Sequence, residues 1–422
     1  MYNKTTLKNG LRVLTVPSNG TKAVTVLVLV KTGSKYETKN TSGISHLLEH
    51  LLFKGTKKRP GNLDIAEPLD AVGGAYNAFT GEDYTGYYAK VDSSHLDLAL
   101  DIISDIYLNS KLDKAEIKRE KNVVIEEINM YRDNPMSFVE IMWHKLLYGD
   151  QPAGWYIGGT KESVLGISRN DLVKYIDSQY NASNTIVCVA GGIKSEKEIV
   201  KKIEKAFWGI GTKAAKDSPE VQESQKAPAF MIEHRKTDQT HFMIGFRGYG
   251  LDDPRHYALE LLGSILGGMM SSRMFASVRE RLGLCYYIKT SVSADPDTGY
   301  LVTCAGVDNS RLELALEAVL KEYKKIKDKK VLEKELKKVK DHFYGKMTLS
   351  FESSDNLAVF YSTQELLENK ILTPEELYGR IKGVRADDIL AVARDVIKPE
   401  NLNLALIGPT KDRKKIKKIL KV

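Results

Sequence analysis

The chain has 422 residues, of which 42% are hydrophobic and 28% charged, and this composition excludes a disordered or fibrous protein. The length exceeds what a single ordinary core supports and fits about two domains of roughly 200 residues each. Because 63 Lys and Arg outnumber 55 Asp and Glu, the net charge is +8. That charge fits a nucleic-acid, anionic-membrane or acidic-substrate partner, or a Lys-rich solvated exterior.

The N-terminal segment and the cysteines indicate the compartment. Residues 1–10 contain no apolar stretch, so we expect no secretory signal. The apolar run at 24–30 is far shorter than the about 20 residues that cross a bilayer. The three cysteines are far apart and form no C-x-x-C pair, which argues against disulfides and a cysteine-based zinc site. We predict a cytoplasmic protein of prokaryotic origin that binds no membrane.

The chain is a direct repeat. Gly166–Gly192 and Gly383–Pro409 each predict a capped helix, an Asn-containing turn and a strand ending in glycine, and their matching residues keep one offset. The strand at 23–34 likewise resembles 241–250, and in both halves a helix, two Tyr-rich strands and a long charged helix follow. The repeat predicts an α+β protein made of two homologous α/β sandwich domains, with mainly antiparallel sheets packed against helices.

The domain boundaries follow from this repeat. We predict an N-terminal domain at 1–208 and a C-terminal domain at 229–422. The segment 209–228 between them is polar and rich in Gly, Ser and Pro, which is typical of a linker.

The first helix of the N-terminal domain, SGISHLLEHLLFKG, contains an H-x-x-E-H motif. His46 and His50 are four residues apart, so with Glu49 they fall within about 100° of the helix circumference. Two such imidazoles can bind one Zn²⁺ while the carboxylate takes a proton from water, in the inverse of the H-E-x-x-H order. The alternative is the polar edge of an amphipathic helix. Leucines around the motif disfavour it, and the matching helix of the second copy, at 256–266, has Leu, Ser and Ile at these positions.

A catalytic zinc with two histidines needs a third ligand, usually a carboxylate. The segment Ile117–Asp133 has a helical pattern, and its Glu120 and Glu127 are seven residues apart and lie on nearly one face. Glu126 points about 100° away from Glu127. From spacing alone a salt-bridged, solvated helix is the commoner explanation, and the choice between the two neighbouring glutamates stays open.

The surplus positive charge lies in two helical segments. The tail 411–422 has seven basic residues and one acid, and 321–346 has eleven lysines and five acids. Aromatic residues are too sparse in both for a surface that stacks bases, so we predict no nucleic-acid partner. The tail matches the last helix of the first copy, with Ile416, Ile419 and Leu420 as its apolar stripe. The charge therefore indicates solvated helix exteriors.

The motifs resemble one known family. HLLEH, followed by Glu127 within EKNVVIEE, together with GGAYNAFTGEDYT, LGGMMSSRMF and VRERLGLCYY, is similar to the pitrilysin-type zinc peptidases, or inverzincins. The length resembles their mitochondrial processing peptidase-like branch. The similarity extends over essentially the whole chain.

The resemblance implies roles for particular residues. His46, His50 and Glu127 are the ligands of one Zn²⁺ per chain, Glu49 is the general base, and Glu120 supports a ligand through its neighbours. Arg279 and Tyr286 hold the substrate and stabilise the oxyanion. Asn77, Ala78, Phe79 and Thr80 form an edge strand that pairs with the substrate.

The resemblance also implies an assembly and a reaction. Two such two-domain chains close like a clam shell around a chamber as a homodimer, in which Arg279 and Tyr286 act in trans. We expect a zinc endopeptidase that cleaves peptides or unfolded, presequence-like segments. The alternatives are a subunit of a heteromeric processing peptidase, and a non-catalytic structural homologue like the respiratory-complex core proteins. The latter typically lose the motif residues, which are all present here.

Overall fold

Each half of the chain forms one β-sheet covered by helices, as a computed structural model describes for residues 2–421. The chain divides into two compact units that are discontinuous in sequence. Unit 1 holds the chain up to Ile128, Tyr156–Pro219 and Met347–Thr373. Unit 2 holds Asn129–Trp155, Glu220–Lys346 and the chain from Pro374 onward.

The sheet of unit 1 has six strands: β1 (Asn3–Thr6), β2 (Arg12–Pro17), β3 (Ala23–Val30), β4 (Ala75–Thr80), β5 (Thr85–Asp92) and β6 (Thr185–Gly191). Their order is β1-β2-β6-β3-β5-β4, and within residues 2–421 β2 and β6 are the one parallel pair of this sheet. The central strand β3 is a nearly continuous run of Val and Leu because both of its faces are buried. Strand β4 lies at one edge of the sheet, and β5 is its one partner strand in the described part of the chain.

The sheet of unit 2 has five strands: β7 (Ala229–His234), β8 (Gln239–Arg247), β9 (Cys285–Ala294), β10 (Gly299–Asp308) and β11 (Leu402–Gly408). Their order is β7-β11-β8-β10-β9, which matches the order β2-β6-β3-β5-β4 in unit 1. The first two strands of each order are parallel, here β7 and β11. The duplicated sheet-and-helix fold expected from the repeat is therefore confirmed.

Fifteen α-helices surround the sheets in the described part of the chain. The first half contains α1 (Ile44–Leu52), α2 (Leu63–Asp70), α3 (Leu96–Asn109), α4 (Lys114–Asp133), α5 (Pro135–Tyr148), α6 (Lys161–Gly166), α7 (Arg169–Gln179) and α8 (Glu196–Ala206). The second half contains α9 (His256–Gly267), α10 (Leu312–Asp328), α11 (Glu333–Ser350), α12 (Ser354–Glu368), α13 (Pro374–Gly383), α14 (Ala386–Val396) and α15 (Arg413–Ile419), with a π-helix at Phe275–Arg281. None of the helices between residues 2 and 421 combines the length and apolarity of a membrane-spanning segment.

Each sheet has one face covered by a helix from the other half of the sequence. Helix α12 belongs to unit 1 and packs on β3 and β6, where Ala358 and Tyr361 join the core. Helix α5 belongs to unit 2, where its buried Trp143 packs with residues of β8, β10 and β11. The domain boundaries predicted at 208 and 228 follow the sequence repeat. The compact units differ from those predicted domains because each unit contains one of these two helices from the other half of the sequence.

The C-terminal tail forms the predicted closing helix. Helix α15 buries Ile416, and Leu420 just after it is buried as well, while Ile419 packs partly on the same core. Its lysines lie outside the core, and Lys415 forms an ion pair with Glu313 at 2.5 Å. The prediction of a solvated basic helix is confirmed.

Candidate metal centre

Helix α1 brings the histidine motif to the surface of unit 1. Gly43 precedes the helix with φ +90°, and a Cβ there would lie 2.7 Å from the carbonyl oxygen of Gly158, so only glycine fits. The leucines of α1 are buried and fix the helix against the core: Leu47, Leu48, Leu51 and Leu52. The same packing leaves the imidazoles of His46 and His50 partly accessible on the opposite side.

His46, His50 and Glu127 form the one group of three His, Cys, Asp or Glu residues suited to a metal ion in residues 2–421. Their ligand atoms lie within 4.8 Å of one another. Nε2 of each histidine is 3.6 Å from an oxygen of the Glu127 carboxylate, which presents one oxygen to each ring. Zn²⁺ binds such atoms at about 2 Å, which places tetrahedral donors about 3–4 Å apart. Glu126 is not part of this group.

Glu120 is the outer partner of His50. Its carboxylate is buried, with 2% of the residue exposed. One oxygen lies 3.3 Å from Nδ1 of His50 and the other 3.0 Å from Nζ of Lys54. A carboxylate in this position fixes the orientation and tautomer of a metal-binding imidazole. His46 differs, because its buried Nδ1 has no hydrogen-bond partner among the described residues.

The protonation states of the three candidate ligands favour the binding of a cation. Burial lowers the pKa of His46 to about 4, so its imidazole is neutral and has a free lone pair at neutral pH. The pKa of Glu127 is lowered chiefly by its hydrogen bond with His50, which keeps the carboxylate ionised. Burial lowers the pKa of His50, but the surrounding carboxylates outweigh it and raise the pKa above the ordinary value. A divalent ion supplies the positive charge that this carboxylate cluster attracts.

The edge strand β4 meets the motif at Glu49. The hydroxyl of Thr80 donates a 2.5 Å hydrogen bond to the Glu49 carboxylate, which fixes one of its oxygens. Tyr76 and Ala78 pack on the same side of the sheet as α1, whereas Phe79 packs on the side covered by α12. The Asn77 side chain accepts a hydrogen bond from the backbone N–H of Ala78.

Arg279 and Tyr286 lie close together within unit 2. The guanidinium of Arg279 lies over the Phe275 ring at 4.4 Å and 5.6 Å from the centre of the Tyr286 ring. Tyr286, at the start of edge strand β9, is 79% exposed. The pair therefore presents a cation and a phenol to solvent.

Three contacts of the site were not predicted from the sequence. Lys54 lies just after the end of α1, and its contact with Glu120 of α4 joins two distant segments, for which spacing offers no signal. The bond from Thr80 to Glu49 joins a strand to a helix 31 residues earlier, for which spacing gives no signal. Glu37, whose buried carboxylate bonds to the first turn of α1, lies in a loop before the helix and has no periodic signature.

The described chain thus combines a duplicated sheet-and-helix fold with a His–His–Glu group suited to a metal ion. Residues 12–161 match the family described as insulinase (peptidase family M16), and residues 166–343 match the peptidase M16 inactive domain. The chain belongs to the M16 peptidase family, and the resemblance to pitrilysin-type enzymes is confirmed.

Relatives and solved structures resemble the chain over nearly its whole length. An uncharacterized zinc protease of Bacillus subtilis is 34% identical over 97% of this chain and 99% of its own. One of Rickettsia felis is 34% identical over 97% and 98%. The crystal structure of a Helicobacter pylori protease superposes with a TM-score of 0.91 at 24% identity, covering 97% of this chain and 100% of that one. The Helicobacter pylori structure shows the same fold, and the two bacterial relatives are named zinc proteases.

Proposed function

We propose that the protein is a zinc-dependent endopeptidase that hydrolyses peptides or unfolded, presequence-like segments. The observation that carries this proposal is the convergence of His46, His50 and Glu127 within 4.8 Å, in a chain whose relatives are named zinc proteases. Two imidazoles and a carboxylate are the ligand set of many catalytic zinc sites and leave a fourth position open. The cytoplasm stays the predicted compartment.

His46, His50 and Glu127 would hold one Zn²⁺ per chain. When bound, the ion would polarise the scissile carbonyl and lower the pKa of water towards about 7. Glu120 holds Nδ1 of His50 and so keeps Nε2 directed at Glu127. The ionised Glu127 and neutral His46 need lose no proton to act as ligands.

Glu49 acts as the general base. Its carboxylate takes a proton from the attacking water and passes it to the leaving amine. The hydrogen bond from Thr80 occupies one carboxylate oxygen, and the other remains to receive that proton. A fixed carboxylate beside the metal ligands gives the proton a short and defined path.

The free edge of β4 binds the substrate as an added strand. Residues Asn77 to Thr80 have backbone groups on the side away from β5, and an extended peptide pairs with such groups by main-chain hydrogen bonds. Main-chain pairing tolerates many sequences, which suits a peptidase of broad substrate range. A folded protein offers few such extended segments, so peptides and unfolded chains are the expected substrates.

Two chains form a homodimer around a chamber, in which Arg279 and Tyr286 of the partner subunit stabilise the oxyanion. A guanidinium and a phenol are suitable donors for a tetrahedral oxyanion, and removal of one such donor costs about 10²–10³-fold in kcat. Both the metal motif and this pair occur in one chain, so the homodimer needs no other subunit. A subunit of a heteromeric peptidase is the second candidate, and a chain inactive alone but active with another subunit would favour it.

Metal analysis tests the proposal. The purified chain is expected to contain one zinc per chain and to cleave an unstructured fluorogenic peptide, to lose cleavage on treatment with a chelator, and to recover it with added Zn²⁺. His46→Gln provides a variant without the metal, and a folded wild-type chain that binds no zinc would contradict the proposal. Mixing Glu49→Gln with Tyr286→Phe chains tests the dimer, since only residues acting in trans restore activity in the mixed dimer.

A further inference from the structure

The two histidines of the metal centre are held differently. Nδ1 of His50 lies 3.3 Å from the carboxylate of Glu120, whereas the buried Nδ1 of His46 has no hydrogen-bond partner among the described residues. Metal-binding histidines usually depend on a bond at the second nitrogen for their orientation. The direction of the His46 ring therefore depends on its edge-on packing against the His50 ring, 4.8 Å away between ring centres, and on the backbone that carries it, which is the first turn of α1.

The carboxylate of Glu37 holds that first turn. One oxygen accepts a hydrogen bond from the backbone N–H of Gly43 at 2.7 Å, and the other accepts from that of Ser45 at 2.9 Å. The first N–H groups of a helix have no partner inside it, and Gly43 has no side chain with which to cap them. Ser45 directly precedes His46, so the bond lies next to the ligand.

The segment containing Glu37 is itself fixed in unit 1. Two residues earlier, Lys35 forms a buried ion pair with Asp83 at 2.9 Å, in the loop that follows the edge strand β4. The hydroxyl of Ser45 bonds to that of Tyr175 at 2.7 Å, and Tyr175 bonds in turn to Thr32. The first turn of α1 is thus tied to both β4 and α7.

Glu37 lies in a place that is costly for a carboxylate. It is 5% exposed, and burial raises the pKa of Glu37 to about 8 although the bonds from Ser45 and Gly43 lower it. Ser, Thr or Asp cannot take the N-cap position because only glycine fits at Gly43, so the carboxyl of Glu37 satisfies these helix N–H groups from outside the helix. Both oxygens of Glu37 bond to amides one and three residues before His46, so this one side chain holds the backbone next to the ligand.

We propose that Glu37 is a positioning residue of the metal centre, which sets the first turn of α1 and thereby the direction of the His46 imidazole. This inference rests on the proposed metal site. Glu37 is not one of the three residues that would hold the metal. Glu37 orients His46 through the backbone of the first turn, whereas Glu120 orients His50 by a direct contact with the imidazole ring.

The test is the zinc affinity of Glu37→Gln. Gln has the same size but offers one acceptor oxygen, and its NH₂ group faces either the Gly43 or the Ser45 amide. Competition with a chromophoric chelator is expected to show zinc bound 10–100-fold more weakly, in the range found for partners of metal ligands. The absorption spectrum of the Co²⁺-loaded chain, which reports ligand geometry, is expected to change. A merely structural role would alter the melting temperature and leave both readouts unchanged.

A matched control is Asp388→Asn. Asp388 also accepts a backbone N–H at a helix start, that of Arg385 at 2.7 Å before α14, which carries no metal ligand. Its zinc affinity is expected to stay within about twofold of the wild type. An equal loss in both variants would overturn the specific role of Glu37.

The outcomes separate the two proposals. If the wild-type chain binds zinc and Glu37→Gln binds it equally well with the same Co²⁺ spectrum, the inference about Glu37 is wrong and the metal site stands. If the folded wild-type chain binds no zinc, the proposed function fails and the inference with it. Should Glu37→Gln not fold, Ser45→Ala removes the hydroxyl that bonds Tyr175 and the Glu37 carboxyl. A weaker zinc affinity is then expected, and an unchanged affinity would overturn the inference.

Discussion

Replacement of Glu120 by Gln probes the support of the metal centre most sharply. The Glu120 carboxylate receives Nδ1 of His50 on one oxygen and the Lys54 ammonium on the other. Gln keeps the shape but has a single oxygen. However the amide is turned, its NH₂ group faces one of these two donors, so one bond is lost and replaced by a repulsive contact.

The magnitude follows from the burial of the two partners. A hydrogen bond to a charged group contributes about 1.5–3 kcal/mol. Water cannot replace it at Glu120, which is 2% exposed, whereas Lys54 is 29% exposed and regains part of its hydration. The loss therefore falls mainly on His50, and the expected outcome is zinc binding weaker by about 10–100-fold.

The assay is competition for Zn²⁺ with a chromophoric chelator, with Glu116→Gln as the control. Glu116 lies four residues earlier on α4 and forms an exposed ion pair with Arg119 at 2.6 Å. Its loss changes stability by about 0.3–0.5 kcal/mol and leaves zinc affinity unchanged. Equal affinity of Glu120→Gln and the wild type would refute the orienting role. Equal losses in both variants would point to a general effect of helix charge.

Two further predictions address the base and the second unit. Thr80→Val removes the 2.5 Å bond to Glu49 without a change of shape, so we expect kcat to fall about tenfold with zinc content unchanged. The control is Thr85→Val, in the same β4–β5 hairpin as Thr80, which loses a hydrogen bond to the Thr32 carbonyl. An unchanged kcat in Thr80→Val would contradict the positioning of the base by Thr80. Burial raises the pKa of Glu260 on α9 from 4.5 to about 7, so the native state holds a proton that the unfolded chain releases, and stability falls as pH rises from 4.5 to 7. Glu260→Gln should therefore raise the melting temperature relative to the wild type at pH 8 but not at pH 4.5. If the variant and the wild type differ in melting temperature by the same amount at both pH values, this carboxyl is not buried in the native state.

Local spacing predicted the helix of the metal site and the duplication of the fold. His46 and His50 are four residues apart on a Leu-rich helix, and a helix brings such residues to one side whatever surrounds it. The duplication shows in residues that recur at one offset in the two halves, such as Gly166 and Gly383. Both features depend on the regular spacing of residues along the chain, so the sequence alone predicts them.

Contacts between distant segments were not predictable in the same way. Periodicity reports which face of α5 or α12 is apolar but not which sheet that face covers, and both helices pack on the sheet of the other half. Spacing left Glu126 and Glu127 as alternatives, because the direction of α4 relative to α1 is a property of the packed core. The contacts of Glu37 and Thr80 likewise exist only once loop, strand and helix have come together.

The most direct test of the central claim is the comparison of the wild-type chain with Glu49→Gln. Gln keeps the volume of the side chain and the hydrogen bond from Thr80 but cannot take a proton. We expect Glu49→Gln to bind zinc as the wild type does and to cleave a fluorogenic peptide at least 100-fold more slowly, since loss of a general base costs about 10²–10⁴-fold. Undiminished cleavage by the zinc-loaded variant would contradict the assignment of Glu49 as the base of a zinc peptidase.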